Sequence, residues 1–287
     1  MEQVKELGGP EAKPHRSEND FLPDEPLEVG SRNPKLLIIY SSPKTGKTSS
    51  LAKLDSCLIL DIEDGSNHVK ALKQKCVMLR KPAGESEQDR LERHARKEYS
   101  LEEVVAGLSK YKKQHGKNKY KRLALDSLTK FDEWMELDGT LTYMATTQGK
   151  KFNRNPETGK EYKPGQKEFE MVTTLGEGHG YRWPREAMLK WIDFLQTLCD
   201  ELILVAHVKD KFVASKTGDL VSSKDIDLSG KLKTIIPSRA DGIGYMYREK
   251  DRLMISFATT EDKICGSRCE HLRGKIIELD WSQIYID

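Results

Sequence analysis

The apolar run Lys35-Leu-Leu-Ile-Ile-Tyr40 leads directly into Ser41-Ser-Pro-Lys-Thr-Gly46-Lys47-Thr48, and a helical stretch begins near Ser49. A buried strand, a short loop and a helix in that order constrain the chain to an α/β unit, with the loop at the C-terminal end of its strand. The loop meets the pattern G-x-x-x-x-G-K-[ST] except at its first position, where Ser41 stands in place of glycine. Its chemistry is that of phosphate binding. Backbone N–H groups and the helix N-terminus cradle the oxygens, and Gly46 lets the backbone approach them closely. Lys47 neutralises the β- and γ-phosphates, and the Thr48 hydroxyl is placed to ligate Mg²⁺. The stretch Ser42, Pro43, Lys44, Thr45, Gly46, Lys47, Thr48 and Ser49 is therefore the candidate ATP-binding segment.

Similar buried-strand runs recur at Cys57-Leu-Ile-Leu-Asp61, Cys76-Val-Met-Leu79, Leu123-Ala-Leu-Asp126 and Leu202-Ile-Leu-Val-Ala206, with helical patterns between them. Leu101 to Tyr111 is one such pattern. Ala187 to Cys199 is the clearest, with Met188, Trp191, Ile192, Leu195 and Cys199 on one face. Strands alternating with helices predict a mainly parallel sheet flanked by helices. After residue 240 the pattern shortens to Ile243–Arg248, Leu253–Ala258 and Lys275–Leu279, which predicts antiparallel hairpins at the sheet's C-terminal edge. The first 30 residues hold eight acids, three Lys or Arg and four prolines. They read as a disordered acidic arm before a domain spanning 31–287. No apolar run reaches the ~20 residues of a membrane helix. No basic-then-apolar leader is evident, and five cysteines without a framework suit a reducing compartment. The expected location is the cytoplasm.

A phosphate loop needs further polar groups at neighbouring strand ends. Asp126 follows three apolar residues and is placed to hold the Mg²⁺ shell, although an Asp-Ser pair also suits the cap of the next helix. Asp61-Ile-Glu63-Asp64 ends another strand with three carboxylates. A hydrolase needs a base within reach of the attacking water; Glu63 is the candidate, with Asp61 in support, and the competing reading is a solvated acidic turn. His207 ends the run Leu202–Ala206 and is a candidate sensor of the γ-phosphate.

This order of motifs resembles the RecA family core: phosphate loop, then a strand ending D-x-E, then a strand ending D-S, then a strand ending in a polar sensor. His207-Val-Lys209, Ile236-Pro-Ser-Arg239-Ala-Asp241 and Gly266-Ser-Arg268 are similar to phage RecA-like nucleotide-binding proteins associated with single-strand annealing and recombination. The resemblance covers roughly residues 35–280. It implies an oligomeric, Mg²⁺-dependent ATPase whose site is completed in trans by a cation, for which Lys209, Lys211, Arg239 and Arg268 are candidates. It also implies single-stranded DNA as a partner, an annealing or recombination protein as another, and the bacterial host cytoplasm as the setting for a phage-encoded chain. The DNA-facing stretches of that family correspond here to about 147–181 and 208–231. The first carries six Lys or Arg against two acids between residues 147 and 167, with Phe152 and Tyr162 interleaved. That suits backbone tracking and base stacking, and equally a solvated hairpin. The second is Lys-rich among Gly and Ser, as a mobile contact loop is. The departures are Ser41, a charged excursion at 84–98 and the long insert after residue 140. A small-molecule kinase and a nucleotide-switch assembly protein with little turnover are the alternatives.

Two further clusters read more plainly. Lys110 to Arg122 holds seven Lys or Arg and no acid, for which basic residues favoured by the dipole at a helix C-terminus are the plainer reading and DNA contact the alternative. Cys265, Cys269 and His271 lack a fourth ligand and the spacing of a zinc knuckle.

Overall fold

The computed structural model describes residues 30–82, 84–214 and 220–286. The acidic arm expected over 1–30 lies outside the described residues, apart from Gly30. In chain order the elements are β1 (Leu36–Ser41), α1 (Lys47–Leu51), β2 (Cys57–Asp61), β3 (Lys73–Met78), α2 (Glu87–Ala95), β4 (Tyr99–Ser100), α3 (Leu101–His115), β5 (Arg122–Asp126) and α4 (Leu128–Met144). There follow α5 (Arg182–Gln196), β6 (Glu201–Ala214), β7 (Leu220–Ile226), α6 (Leu232–Arg239), β8 (Gly242–Glu249), β9 (Arg252–Ser256), β10 (Gly266–Ser267), β11 (Ile276–Glu278) and α7 (Trp281–Ile284).

The strands form one mixed sheet in the order β11-β9-β8-β1-β6-β5-β2-β3-β4. From β8 to β4 the neighbours are parallel, while β9, β10 and β11 add antiparallel strands at the C-terminal edge. This is the fold class the alternating pattern predicts. The central strands are apolar throughout because both of their faces are covered. In β1, Leu36, Ile38 and Tyr40 enter the layer packed under α3, α4, α5 and α6, whereas Leu37 and Ile39 enter the layer beneath α1 and α7. The Trp281 indole N–H donates to the Ser50 carbonyl at 2.8 Å, which fastens α7 to the helix that follows the phosphate loop.

Local signals explain the boundaries. A capping box opens α3, with Ser100 and Glu103 bonding each other's backbone N–H, and Gly116 closes it at φ 67°. Ser86 and Asp89 form the same box at α2, so the charged excursion at 84–98 is largely a capped helix rather than an irregular loop. The buried stripe of α5 is Met188, Ile192 and Leu195; the helix begins five residues before the expected Ala187, and Cys199 lies past its end. Gly139 marks the crossing of α4 and α5, because a Cβ there would lie 2.5 Å from the Pro184 nitrogen.

One expectation is corrected here, and one segment is given its form. The stretch after His207 is not simply a loop: β6 runs on to Ala214 and pairs antiparallel with β7, from Val208↔Ile226 to Ala214↔Leu220. The strand reaches fourteen residues because β7 continues the pairing where the core ends, from Val208 onward. The insert at 147–181 contains short 3₁₀ turns at Gly149–Lys151, Val172–Thr174 and Gly176–Tyr181. Asn153 fastens it through both atoms of its amide, donating to Glu170 O at 2.8 Å and accepting from Glu170 N at 2.7 Å.

Candidate functional site

Four strand ends build the site. The register pairs Ser41 of β1 with His207 of β6, Val205 of β6 with Asp126 of β5, and Asp126 with Asp61 of β2. The phosphate loop and Asp126 are thus not on adjacent strands, as the sequence suggested; β6 lies between them and brings His207 into the middle. Sequence spacing cannot reveal this, because β6 joins the sheet some 75 residues after β5.

The loop itself is shaped by left-handed residues, with Lys44 at φ 61° and Gly46 at φ 114°. α1 begins at Lys47, two residues earlier than expected. The Lys47 ammonium folds back on its own strand end. It donates to Ser41 O at 3.3 Å, to Ser41 Oγ at 3.2 Å and to Ser42 O at 3.3 Å. Ser41 therefore does more than replace a glycine: its buried hydroxyl is an acceptor for the lysine. Burial pushes the Lys47 ammonium down from its usual range, partly opposed by the Asp126 and Glu63 carboxylates.

The Thr48 hydroxyl donates to Asp126 Oδ2 at 2.6 Å. Burial pushes the Asp126 carboxyl up, with Glu63 and Asp61 adding to the shift and Thr48 opposing it. A hydroxyl and a buried carboxylate, in a field of three acids against the single Lys47 charge, form an oxygen donor set that a hard cation such as Mg²⁺ satisfies. The residues fit that ion.

Glu63 lies two residues past the end of β2. Its carboxylate meets the His207 imidazole Nε2 at 2.9 and 3.1 Å and accepts a hydrogen bond from the Ser127 hydroxyl. Partial burial pushes the Glu63 carboxyl up, but the His207 and Ser127 hydrogen bonds and nearby Lys47 outweigh it and hold it below the usual range. The other two acids are engaged elsewhere. Asp61 accepts from Gly65 N at 3.3 Å, Ser66 N at 3.1 Å and the Ser66 hydroxyl, so it holds the turn after β2 rather than supporting the base. Asp64 pairs with Lys75 of β3 at 2.8 Å.

Three residues of this site escape sequence reasoning. Ser127, read from sequence as a helix cap and as the second residue of the D-S strand end but given no site role, both caps α4 through Lys130 N and binds Glu63. The Thr129 hydroxyl accepts from His207 N at 3.1 Å and donates to Asp227 O at 3.2 Å. Arg248 of β8 donates from Nε to the phosphate-loop carbonyl of Thr45 at 3.2 Å, because β8 pairs with β1. Nothing in the sequence near Arg248 signals that pairing. Among the trans candidates, Lys209 pairs with Asp227 at 3.3 Å, Arg239 with Asp193, and Arg268 with Asp241 at 3.7 Å. The Lys211 side chain lies outside the described residues.

A loop–helix cradle at the C-terminal edge of a parallel sheet, with a threonine–aspartate pair beside it, defines a P-loop nucleotide-binding domain. The chain belongs to the AAA domain family, which it matches over residues 33–269. No curated protein matches it. Among the described residues no helix is long and apolar enough to cross a membrane.

Proposed function

We propose that the chain hydrolyses ATP with Mg²⁺ and couples hydrolysis to single-stranded DNA in recombination or strand annealing, as a homo-oligomer with a cation supplied in trans. The observation carrying the hydrolase reading is the convergence of Thr48 with Asp126 and of Glu63 with His207 at the ends of four strands. Thr48 and Asp126 would hold Mg²⁺, which supplies neutralising charge to the phosphates. Lys47 adds a fixed cation and gives up its contacts with Ser41 and Ser42 to reach the phosphates. Glu63 accepts the proton of the attacking water once it leaves His207 and Ser127, and its release restores the basicity those hydrogen bonds suppress. His207, freed from Glu63, is then available to bond the γ-phosphate.

Support for the DNA reading comes from the ends of the two stretches. Tyr181, Arg182 and Arg185 on one side, and Ser229, Gly230 and Lys231 on the other, line a cavity of about 480 Å³. It combines cations with an exposed ring, as a backbone-tracking and stacking surface does. Phe152 is less suited to that role than its sequence context suggests. It is half-buried and packs edge-on against Tyr143 at 5.5 Å.

ATP hydrolysis measured with and without single-stranded DNA tests the proposal. Stimulation is expected in the wild type. In His207→Ala, basal ATP and DNA binding should persist while stimulation disappears. Hydrolysis without any DNA response would favour the assembly-switch reading, and phosphoryl transfer to a small acceptor would favour a kinase.

A further inference from the structure

The basic run from Lys110 to Arg122 is not explained by a helix C-terminus. α3 ends at His115, so Lys110, Lys112 and Lys113 sit on it, but Lys117, Lys119 and Lys121 follow the Gly116 cap in the link to β5. The helix dipole acts within the last turn and does not reach them. Of the seven basic residues, Arg122 alone forms an ion pair among the described residues, with Glu201. Among the described residues the six lysines of this run thus form no ion pair, and Lys112 alone is tied to the fold, donating to the Thr197 carbonyl.

Two cavities meet there. One, of about 530 Å³, is lined by Lys112, Lys117, Lys119 and Lys121 with Asn118. Its acid, Asp200, is occupied as the acceptor of the Asn118 amide at 2.8 Å. The other, of about 600 Å³, joins Tyr99, Val104, Leu108 and the exposed Leu72 to the charged Lys73, Arg90 and Glu103. Lys119 and Tyr120 border both. Aromatic rings are interleaved with the charges: Tyr111 stacks on His115 at 4.0 Å, and the Lys119 ammonium lies 5.6 Å from the Tyr111 and Tyr120 ring centres. A cationic cavity beside one that adds rings and apolar side chains to its charges matches the alternation of phosphate and base along a polynucleotide. An acidic peptide has no comparable use for the rings that Lys119 lies between.

We propose that this surface is a second binding site for a single nucleic-acid strand, at the end of the sheet opposite the nucleotide site. Lys121 precedes β5 and Asp126 ends it, so the two sites are separated by that strand's length, roughly 16 Å. The site stands independently of the cleft around Tyr181. Two surfaces allow two strands to be held by one protomer.

Photocrosslinking of a bromodeoxyuridine-substituted oligothymidylate to the full-length protein, with adducts mapped by mass spectrometry, tests the proposal. Adducts at Tyr111, His115 or Tyr120 are expected, whether or not Tyr181 is also labelled. Labelling at Tyr181 alone overturns this site and leaves the proposed function standing; labelling at the lysine surface alone keeps this site and removes the cleft around Tyr181 as a DNA contact. In protein carrying Arg182→Ala, Arg185→Ala and Lys231→Ala, the residual binding belongs to this surface. There, adding Lys117→Ala, Lys119→Ala and Lys121→Ala should lower the salt slope by about 2, since each lost phosphate contact removes ~0.7. Affinity near 0.1 M salt should fall by up to roughly 100-fold on the same count. The corresponding arginine variants should retain both. Equal competition by thymidine monophosphate or by polyglutamate at matched charge would overturn the assignment to a strand.

Discussion

Replacing Glu63 with Gln separates the three carboxylates that follow β2. The amide keeps the shape of the side chain and can still accept from Ser127 and donate to His207, so the contacts holding the residue survive while its charge does not. ATP binding should therefore persist. Turnover should fall ~10²-fold or more, the usual cost of losing a general base, or about 2.7 kcal/mol of transition-state stabilisation. Asp64→Asn should stay within about twofold of wild type, because Asp64 is bound to Lys75 and its removal costs only an exposed ion pair. Asp61→Asn should act on stability instead. It weakens a buried acceptor of two backbone N–H groups and the Ser66 hydroxyl, with an expected cost of about 1–3 kcal/mol. Single-turnover hydrolysis, nucleotide binding and urea unfolding on the three variants distinguish these outcomes. If Glu63→Gln turns over normally while Asp64→Asn is inactive, the assignment of the base is wrong.

Lys47→Ala should abolish ATP binding, and Asp126→Ala should cripple Mg²⁺-dependent turnover; near wild-type hydrolysis in either would dismiss the phosphate-loop assignment. Arg248→Ala should weaken nucleotide affinity severalfold by loosening the loop at Thr45, with melting temperature little changed, as titration with a fluorescent ATP analogue would reveal. Gly139→Ala should destabilise the fold by about 1–3 kcal/mol, because the added methyl meets the Pro184 backbone rather than a yielding side chain. Chemical denaturation checks this, and an unchanged midpoint would show that the two helices separate at little cost.

The central sheet was legible in the sequence because strand segments buried on both faces must be apolar, and β1, β2, β5 and the Leu202–Ala206 segment of β6 carry that signature between their polar ends. The edges were less so. β3 has one fully buried residue, Cys76, among polar neighbours, and its observed span begins three residues before the apolar run. The charged α2 hides its cap because Ser86 and Asp89 are small signals in a polar stretch. At the site, individual strand-end residues could be read because each follows an apolar run. Which of them meet could not. Whether Asp61 or Glu63 faces the phosphate loop depends on the turn that Asp61 itself holds, and Thr129 and Arg248 enter only through strand pairing.

The insertion of β6 between the phosphate-loop strand and the Asp126 strand joins the site to a hairpin through continuous backbone. β6 carries His207 at the level of Ser41 and then continues without a break into the hairpin with β7. At that junction the Thr129 hydroxyl binds the backbone on both sides of the hairpin base, at His207 N and Asp227 O, and Asp227 N donates to His207 O at 3.0 Å. One turn further along α4, the Asp132 carboxylate accepts from Ser229 N at 2.7 Å and from its hydroxyl at 3.1 Å. α4 begins directly after Asp126 and Ser127, so the same helix receives the nucleotide site at its N-terminus and grips the hairpin base along its first two turns. A change that draws His207 away from Glu63 would be met first at Thr129, whose hydroxyl binds the His207 backbone.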